Sequence, residues 1–586
     1  MRRVVRIAVA VALLGAALLW FSSRPLLLPS KGPLAQPVVQ ARESGHPILL
    51  LVDFAGLTAS AHRRRPQPWA DLEWDNILGQ AFGSCDVADL AQLEAVIARR
   101  ELVVIGRRSC LALDSEQVNL LGRHVEAGLT VLLEAPDSTL CRQLGLELAA
   151  VERRLRLPWP TPAIASRELL PVVRPRALDV PWTRLRYAPT TRRSRLRPQV
   201  RLSLDGRPLG WILEHGQGNW SALAMDFADL ATRIRQGSAI GPINDAQDRV
   251  IDHAPFADDA WLDAWVEGIL GGTLTRLPLA RIASAPFDAD GWLICGAHAP
   301  VDNAVPPTLT VFASVFAPDA GAAAMLGWWP DHATLRAAAP QLVERYGVGP
   351  LRPFARVRDL ALQRTAIGTA PSIMRLAGDG LWDTTDEAFA RIAGAGFSID
   401  TSLTPRSGEA AWFFGSGVPF TPLARDGLPV ALLEVPAHMQ LGDEALDERR
   451  LDRWMRHNAR GGAGPIQIDT GPHWTPQLQE RLDRLAERHQ HTARSLTDLT
   501  RWWQQRAELR VRSRALDDGQ ELLIEQVPGE GFALLIPMRW LDRALTGWEA
   551  DWGVTRSRRV QRFDRAYRLL EIGPASVGGR LRLRYR

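Results

Sequence analysis

The chain has 586 residues, 46% hydrophobic and 23% charged, with a formal net charge of +5. This is ordinary globular composition and excludes a disordered or fibrous chain, and the length suggests three or four domains at about 150 residues each. Lys31 is the single lysine, so nearly all positive charge is arginine. A GC-rich genome produces that bias, and guanidinium forks aimed at carboxylates or phosphates would also use it.

Arg2, Arg3 and Arg6 precede an apolar run from Ile7 to Phe21, the pattern of a basic n-region and a hydrophobic core. The run is short against the roughly 20 residues of a full span, and Ser22-Ser23-Arg24-Pro25 follows without a small-x-small cleavage site. The expectation is an uncleaved signal-anchor or transmembrane segment over 1–24, with a cleaved signal peptide as the alternative. Arginines ahead of the core keep the N-terminus in the cytoplasm. The protein is therefore expected in the inner membrane, single-pass, with its bulk in the periplasm. Residues 25–46, with Pro33 and Pro37, read as a linker.

A first soluble domain is expected over 47–275. Pro47–Phe54, Leu102–Gly106 and Thr130–Glu134 are apolar strands, and a helix begins at Ser115, read as its cap, with Val118, Leu121 and Val125 on one face. Such strands alternating with helices predict a parallel sheet covered on both faces. Cys110 follows a strand but lacks the glycine-flanked elbow of an exposed nucleophile. Cys85, Cys110, Cys141 and Cys295 have no zinc-site spacing. They read as small buried hydrophobes or, in an oxidising compartment, as holding one disulfide. The arginines between Arg184 and Arg201 make either a charged sheet edge or a surface for lipid headgroups or an acidic polymer. Export leaves nucleic acid out as a partner. Gly206-Arg207-Pro208 and Gly216-Gln217-Gly218 mark two hairpins.

The second domain, 279–498, carries strands at Trp292–Cys295, Leu309–Ala313, Ser398–Asp400 and Ile466–Ile468. Its helices read at Ala333–Tyr346, Thr384–Ala395 and Gln477–Arg488. A third, 499–586, opens on the tract Arg501–Arg506 and alternates in strands, predicting a small β-sandwich.

Several stretches of the second domain carry a resemblance. Trp382–Asp386 opens a helix that ends at Gly394-Ala395-Gly396-Phe397, followed by Ser398-Ile399-Asp400-Thr401-Ser402. Phe414–Phe420 and Leu433–Pro436 extend it, and His298–Asp302 and Gly464–Trp474 bracket it. This layout resembles the polysaccharide deacetylase (NodB-homology, carbohydrate esterase family 4) family. The first domain resembles flavodoxin-like and glutamine-amidotransferase-like modules. The resemblance implies an α/β chain with a deacetylase-like (β/α) barrel. It implies Asp302 and His332 as ligands of a divalent metal such as zinc, His473 as the late acid with His438 as alternate, and Arg375 supporting the base. Such a metal polarises an amide carbonyl and lowers the pKa of bound water.

Two departures matter. Pro300 stands where the base belongs, and only His332 answers the family's histidine pair. Trp328, Trp382, Trp412 and Trp474 surround the implied cleft; tryptophan faces stack on sugar rings or fill cores. The expectation is a protein that binds or positions an envelope or exported glycan polymer without full metal catalysis. The alternatives are an active metal-dependent N-deacetylase and a structural partner in an envelope protein complex.

Overall fold

Buried apolar strands build the first of three layered regions. The computed structural model describes residues 45–586 apart from 62–69, 145, 158–177, 188–197, 205–206, 237–260, 271–279, 287–288, 299–309, 315–348, 354–372, 378–384, 395, 402, 404–416, 425, 437–438, 441–447, 449–450, 453–454, 457, 459–463, 470–475, 495, 517, 541–542, 552, 563–564 and 575–577. The expected anchor, residues 1–24, residues 25–44 of the expected linker, and the helix read at 333–346 lie outside these. Among the described residues no helix is long and apolar enough to cross a membrane.

Strands β1 (Ile48–Val52), β2 (Asp86–Asp89), β3 (Leu102–Ile105) and β4 (Thr130–Glu134) run parallel. β1, β3 and β4 are buried at every position, as a sheet covered on both faces requires. β5 (Leu146–Leu157) and β6 (Leu178–Tyr187) form a separate antiparallel ribbon. β7 (Pro198–Leu204), β8 (Arg207–His215) and β9 (Gly218–Leu223) return to the sheet, β9 parallel to β4 and the other two antiparallel. The order β2-β1-β3-β4-β9-β8-β7 is that of flavodoxin-like doubly wound sheets over its five parallel strands, with an antiparallel edge, so the sheet is mixed rather than purely parallel. The helix Ser115–Glu126 buries Val118, Leu121 and Val125, but its cap is Asp114. The Asp114 carboxylate accepts from Gln117 N–H while the Gln117 side chain accepts from Asp114 N–H, a capping box one residue earlier than expected.

A two-residue strand, β10 (Arg281–Ile282), precedes the second sheet. That sheet contains β11 (Gly291–His298), β12 (Thr310–Ser314), β13 (Gly349–Pro353), β14 (Ile373–Ala377), β15 (Ile399–Asp400), β16 (Leu433–Glu434), β17 (Met439–Gln440), β18 (Pro465–Asp469) and β19 (His491–Ala493). Its order is β16-β15-β14-β13-β12-β11-β18-β17, with β19 also on β11. The sheet is curled. Trp292 and Ile294 share a core with Ile399 and Val435 from its far end, and the Gln467 amide donates to the Thr401 hydroxyl. Leu293 and Cys295, of opposite parity, and their register partners Ile466 and Ile468 belong to the core that contains Leu478, Leu482 and Leu485 of the helix Pro476–Arg488. The helix Thr385–Gly394 ends in a Schellman turn: Gly396, at φ 88°, donates to Ala393 and Phe397 to Ile392.

The third region is an antiparallel sandwich. One sheet contains β20 (Arg510–Leu516), β21 (Gly519–Gln526), β23 (Arg539–Trp540), β24 (Arg543–Ala550) and β27 (Gly579–Tyr585). The other contains β22 (Phe532–Pro537), β25 (Val554–Arg562) and β26 (Arg565–Ile572) and borrows β10. Leu581, Leu583 and Tyr585 alternate with Arg580, Arg582 and Arg584 along β27, and the apolar set meets Leu534, Ile536 and Leu570 of the facing sheet. The tract before the sandwich is a helix, Leu496–Glu508, which buries Leu499, Trp502 and Arg506.

The three regions meet at Arg506, 1% exposed. Its guanidinium donates to Gly79 O at 2.7 Å and Gln80 O at 2.6 Å, in the helix Glu73–Phe82, and to Ile282 O at 2.9 Å and Ala283 O at 3.1 Å. Gly83, at φ 84°, closes that helix, and a Cβ there would lie 2.4 Å from the Arg506 carbonyl oxygen. Burial, with Arg281 nearby, holds the Arg506 pKa down to about 9, which leaves it charged at neutral pH. Arg506→Met should leave four carbonyls, of one buried and three half-buried residues, without this donor, at about 1–3 kcal/mol each where water cannot replace it. The expected outcome in urea unfolding is a loss above about 3 kcal/mol, with Arg506→Lys intermediate because an ammonium cannot span the four acceptors. Wild-type stability in Arg506→Met would refute this role.

Candidate functional site: the carboxyl edge of the curled sheet

Among the paired strands of the second sheet, only β12 runs against its neighbours. The carboxyl ends of β11 and of β13 to β18 therefore point to one edge, where open α/β sheets take their ligands. β11 and β18 are adjacent and parallel, with Cys295 opposite Ile468 and Gly296 opposite Asp469. Asp302 lies four positions beyond His298, the end of β11, and His473 four beyond Asp469, the end of β18. Both lie outside the described residues, as do His332, His438, Trp328, Trp382, Trp412 and Trp474. Arg375 is the middle residue of β14, opposite Leu351 of β13.

Four residues not singled out from the sequence gather at this edge. Asp400, Thr401, Glu434 and Gln467 are each 0% exposed. Asp400 and Glu434 are register partners on β15 and β16. The Glu434 carboxylate accepts the Leu403 N–H at 3.1 Å, and Gln467 bonds Thr401 across the curl. A legible signal existed: a lone polar residue between apolar ones in a short strand, as in Ile466-Gln467-Ile468 and Leu433-Glu434-Val435. The Glu434 bond fixes the backbone at Leu403, and the Gln467 bond ties β18 to the residue that follows β15. Among the described residues no group of three or more His, Cys, Asp or Glu could hold a metal ion.

The first sheet has its own carboxyl edge, with the switch point between β1 and β3. Here the chain fills the place with its own side chains. The short helix Arg107–Cys110 starts at this point. Its Arg107 N–H donates to Glu134 at 3.1 Å, and Arg108 and Ser109 N–H donate to Asp71 at 3.1 and 2.8 Å. The Ser109 hydroxyl donates to Asp71 at 2.6 Å and accepts from Asp53 N–H. Glu134 further accepts Trp74 Nε1–H at 3.0 Å and Ala228 N–H at 2.7 Å. Gly106 makes room, since a Cβ there would lie 2.4 Å from the Asp71 carboxyl carbon. Burial pushes Asp71 up to about 6 against these donors, and pushes Glu134 well above the carboxylate range with Asp226 and Asp71 adding to it. Backbone N–H groups that elsewhere receive a ligand anion are thus engaged internally.

Cys110 adjoins this cluster but is 2% exposed, and its thiol donates to Ile105 O at 3.3 Å. Burial, reinforced by the Asp71 charge, pushes its pKa well above 9, so it is a thiol at neutral pH and no nucleophile. Cys85, Cys141 and Cys295 are likewise buried thiols, so the disulfide alternative is not realised.

No family model and no curated protein matches the chain. Among solved structures, the carbohydrate deacetylase Agd3 aligns over 91% of this chain and 98% of its own, at 9% identity and a TM-score of 0.33. The exo-β-1,4-mannosidase Op5Man5 from Opitutaceae bacterium strain TAV5 aligns over 31% of each chain, at 14% identity and a TM-score of 0.22. A β-galactosidase from Bacillus circulans sp. alkalophilus aligns over 47% of this chain and 36% of its own, at 10% identity and a TM-score of 0.24. The chain thus spans under a third of the mannosidase's length and little more than a third of the galactosidase's. Likenesses this distant carry no residue role to this chain.

The thiols allow a direct check. In native protein at pH 8 none of the four buried cysteines should react with a thiol reagent within minutes, and all four should react in denaturant without reductant. Fewer than four in denaturant would indicate a disulfide. Fast native labelling abolished in Cys110→Ser would indicate an exposed nucleophile.

Proposed function

We propose that this is an exported, membrane-anchored protein that binds or positions a glycan polymer at the carboxyl edge of its curled sheet, without full metal-dependent hydrolysis. The observation that carries the reading is the parallel pairing of β11 with β18. The segments bearing Asp302 and His473 leave the sheet from neighbouring strands in the same direction. The buried set Asp400, Thr401, Glu434 and Gln467 supports it by stiffening the edge to which those segments attach. Export rests on Arg2, Arg3 and Arg6 ahead of the apolar run.

The hydrolytic half of the family's chemistry is the part the reading denies. Attack of water on an amide needs a base within about 2.6–3.2 Å of the nucleophile. In the deacetylase layout that place falls to Pro300, which has no side-chain group to accept a proton. Divalent-metal affinity depends on ligand number and geometry, and His332 alone stands for the histidine pair. Trp382 and Trp474 then serve as stacking surfaces for sugar rings.

Retention on acetylated amino-sugar polymers tests both halves. Trp382→Ala and Trp474→Ala should each weaken retention by about 0.5–1.5 kcal/mol, a few-fold to about tenfold, at unchanged melting temperature. No acetate should appear, with or without added divalent metal, and Asp302→Asn should leave retention intact. Unchanged retention in both tryptophan variants would refute the glycan edge. Metal-dependent acetate release that disappears in Asp302→Asn would make the protein an active deacetylase.

A further inference from the structure

The amino ends of β11 and β19 open at the other end of the curled sheet. Asp290 stands immediately before β11 and Gln490 immediately before β19. Between this end and the sandwich lies a cleft of about 430 Å³, within the range of small-molecule sites, about 300–1,000 Å³. Its lining includes Arg456, Arg488, Arg558 and Arg562, with His489 and Gln490.

The arginines arrive from three distant segments. Arg488 ends the helix Pro476–Arg488, and Arg456 belongs to a separate helical stretch. Arg558 and Arg562 are four apart on β25, so they share a face of that strand. Arg562 is 8% exposed. Burial holds its pKa down to about 10, Asp290 working against the shift and Arg558 with it; it remains charged at neutral pH.

Acids are present too, and they set how much the cleft can bind. Arg558 bonds Asp290 and, at 3.3 Å, Glu571. One carboxylate, Asp452, serves Arg456 at 2.6 Å, Arg488 at 3.3 Å and His489 at 2.8 Å. Glu487 completes the acidic lining. A guanidinium has five donors and a carboxylate about four acceptor sites, so sharing Asp452 leaves donors to spare. The Arg456 and Arg488 side chains are 58% and 62% exposed, which keeps most of those donors accessible at the mouth.

Gln490 supplies an independent sign. Its φ is 53°, at a helix end where glycine is the default residue. Its carbonyl accepts Asp290 N–H at 2.7 Å and its N–H donates to Glu487 O at 3.1 Å. Glycine would hold this turn with less strain, but would bring no carboxamide to the cleft. Strained non-glycine backbone concentrates at binding sites.

We propose that this cleft binds a small ligand through one oxyanion group, a carboxylate, sulfate or phosphate, gripped by the arginine forks with Gln490 beside them. Planar forks match such groups bidentately. The cleft sits at the opposite end of the sheet from the proposed glycan edge, so it stands whether or not that edge binds polymer.

The test is calorimetric titration of the full chain with glucuronate, inorganic phosphate, inorganic sulfate and, as neutral control, glucose. The anions should bind and glucose should not. The double variant Arg456→Gln/Arg488→Gln, altered only at exposed side chains, should keep its melting temperature and lose about tenfold or more in affinity. Gln490→Gly should melt at the same temperature or higher and also bind more weakly, which decides the matter if the double variant is unstable. Tighter binding of glucuronate than of phosphate and sulfate identifies an acidic sugar as the source; the reverse identifies a free oxyanion. No binding of any anion at concentrations on the order of 10 mM, glucose binding as well as glucuronate, or affinity unchanged in the stable variants would overturn the proposal.

Discussion

The last-turn carbonyls of a helix have no partner within it and form the negative end of its dipole. In the helix Glu73–Phe82 the Arg506 guanidinium takes Gln80 O together with Gly79 O, which also accepts the capping Gly83 N–H, and it takes the carbonyls of Ile282 and Ala283 as well. Those last two flank the end of β10, which pairs with β22 in the sandwich. One cation thus satisfies acceptors from the first sheet's helical layer and from the segment that joins the sandwich, while its own helix, Leu496–Glu508, links the curled sheet to β20. Trp292 of the curled sheet and Trp502 of that helix both donate to Ser284 O, at 3.2 and 2.9 Å. The indoles and the guanidinium meet the same short stretch of backbone.

Polar pairs of the same kind extend this junction outward. Arg235 bonds the buried Glu73 at 2.5 Å and the half-buried Gln80 at 2.6 Å, between helices of the first region. The Asn76 and Gln236 carboxamides each exchange two hydrogen bonds with a single backbone residue of the curled-sheet region, Thr421 and Leu423. Glu267 joins Arg281 to the Tyr567 hydroxyl. Buried contacts of this type add little net stability compared with apolar packing but penalise every arrangement that leaves one unmade. They therefore select one relation among the three regions, and that relation puts the carboxyl edge and the arginine cleft at opposite ends of one sheet.

Much of this architecture was legible in local sequence. Ile48–Val52, Leu102–Ile105 and Thr130–Glu134 are apolar without interruption because both faces are covered, and the helix Pro476–Arg488 shows its period clearly. The helix Leu496–Glu508 was not recognised, because a buried arginine occupies its apolar face at Arg506. β10 has two residues and a partner some 250 positions away, so nothing local announces it. β25 alternates poorly because Arg562 is buried among its arginines. At the carboxyl edge, a resemblance selected Asp302 and His473, but the adjacency of the strands that precede them is a property of the sheet order. Glu434 and Gln467 do show in the sequence as lone polar residues between apolar ones, but that they meet at one edge depends on the curl of the sheet. The arginine cleft is assembled from three remote segments, and no spacing rule could have joined them.

We propose that Asp302 and His473, each four positions beyond one of two paired strands, do not make a working metal centre. Metal analysis of the full chain, purified without chelator and dialysed against zinc at low concentration, tests this most directly. The account predicts zinc far below one ion per chain, with no difference between wild type and Asp302→Asn. Stoichiometric zinc in the wild type that is lost in Asp302→Asn and in His473→Asn would contradict it.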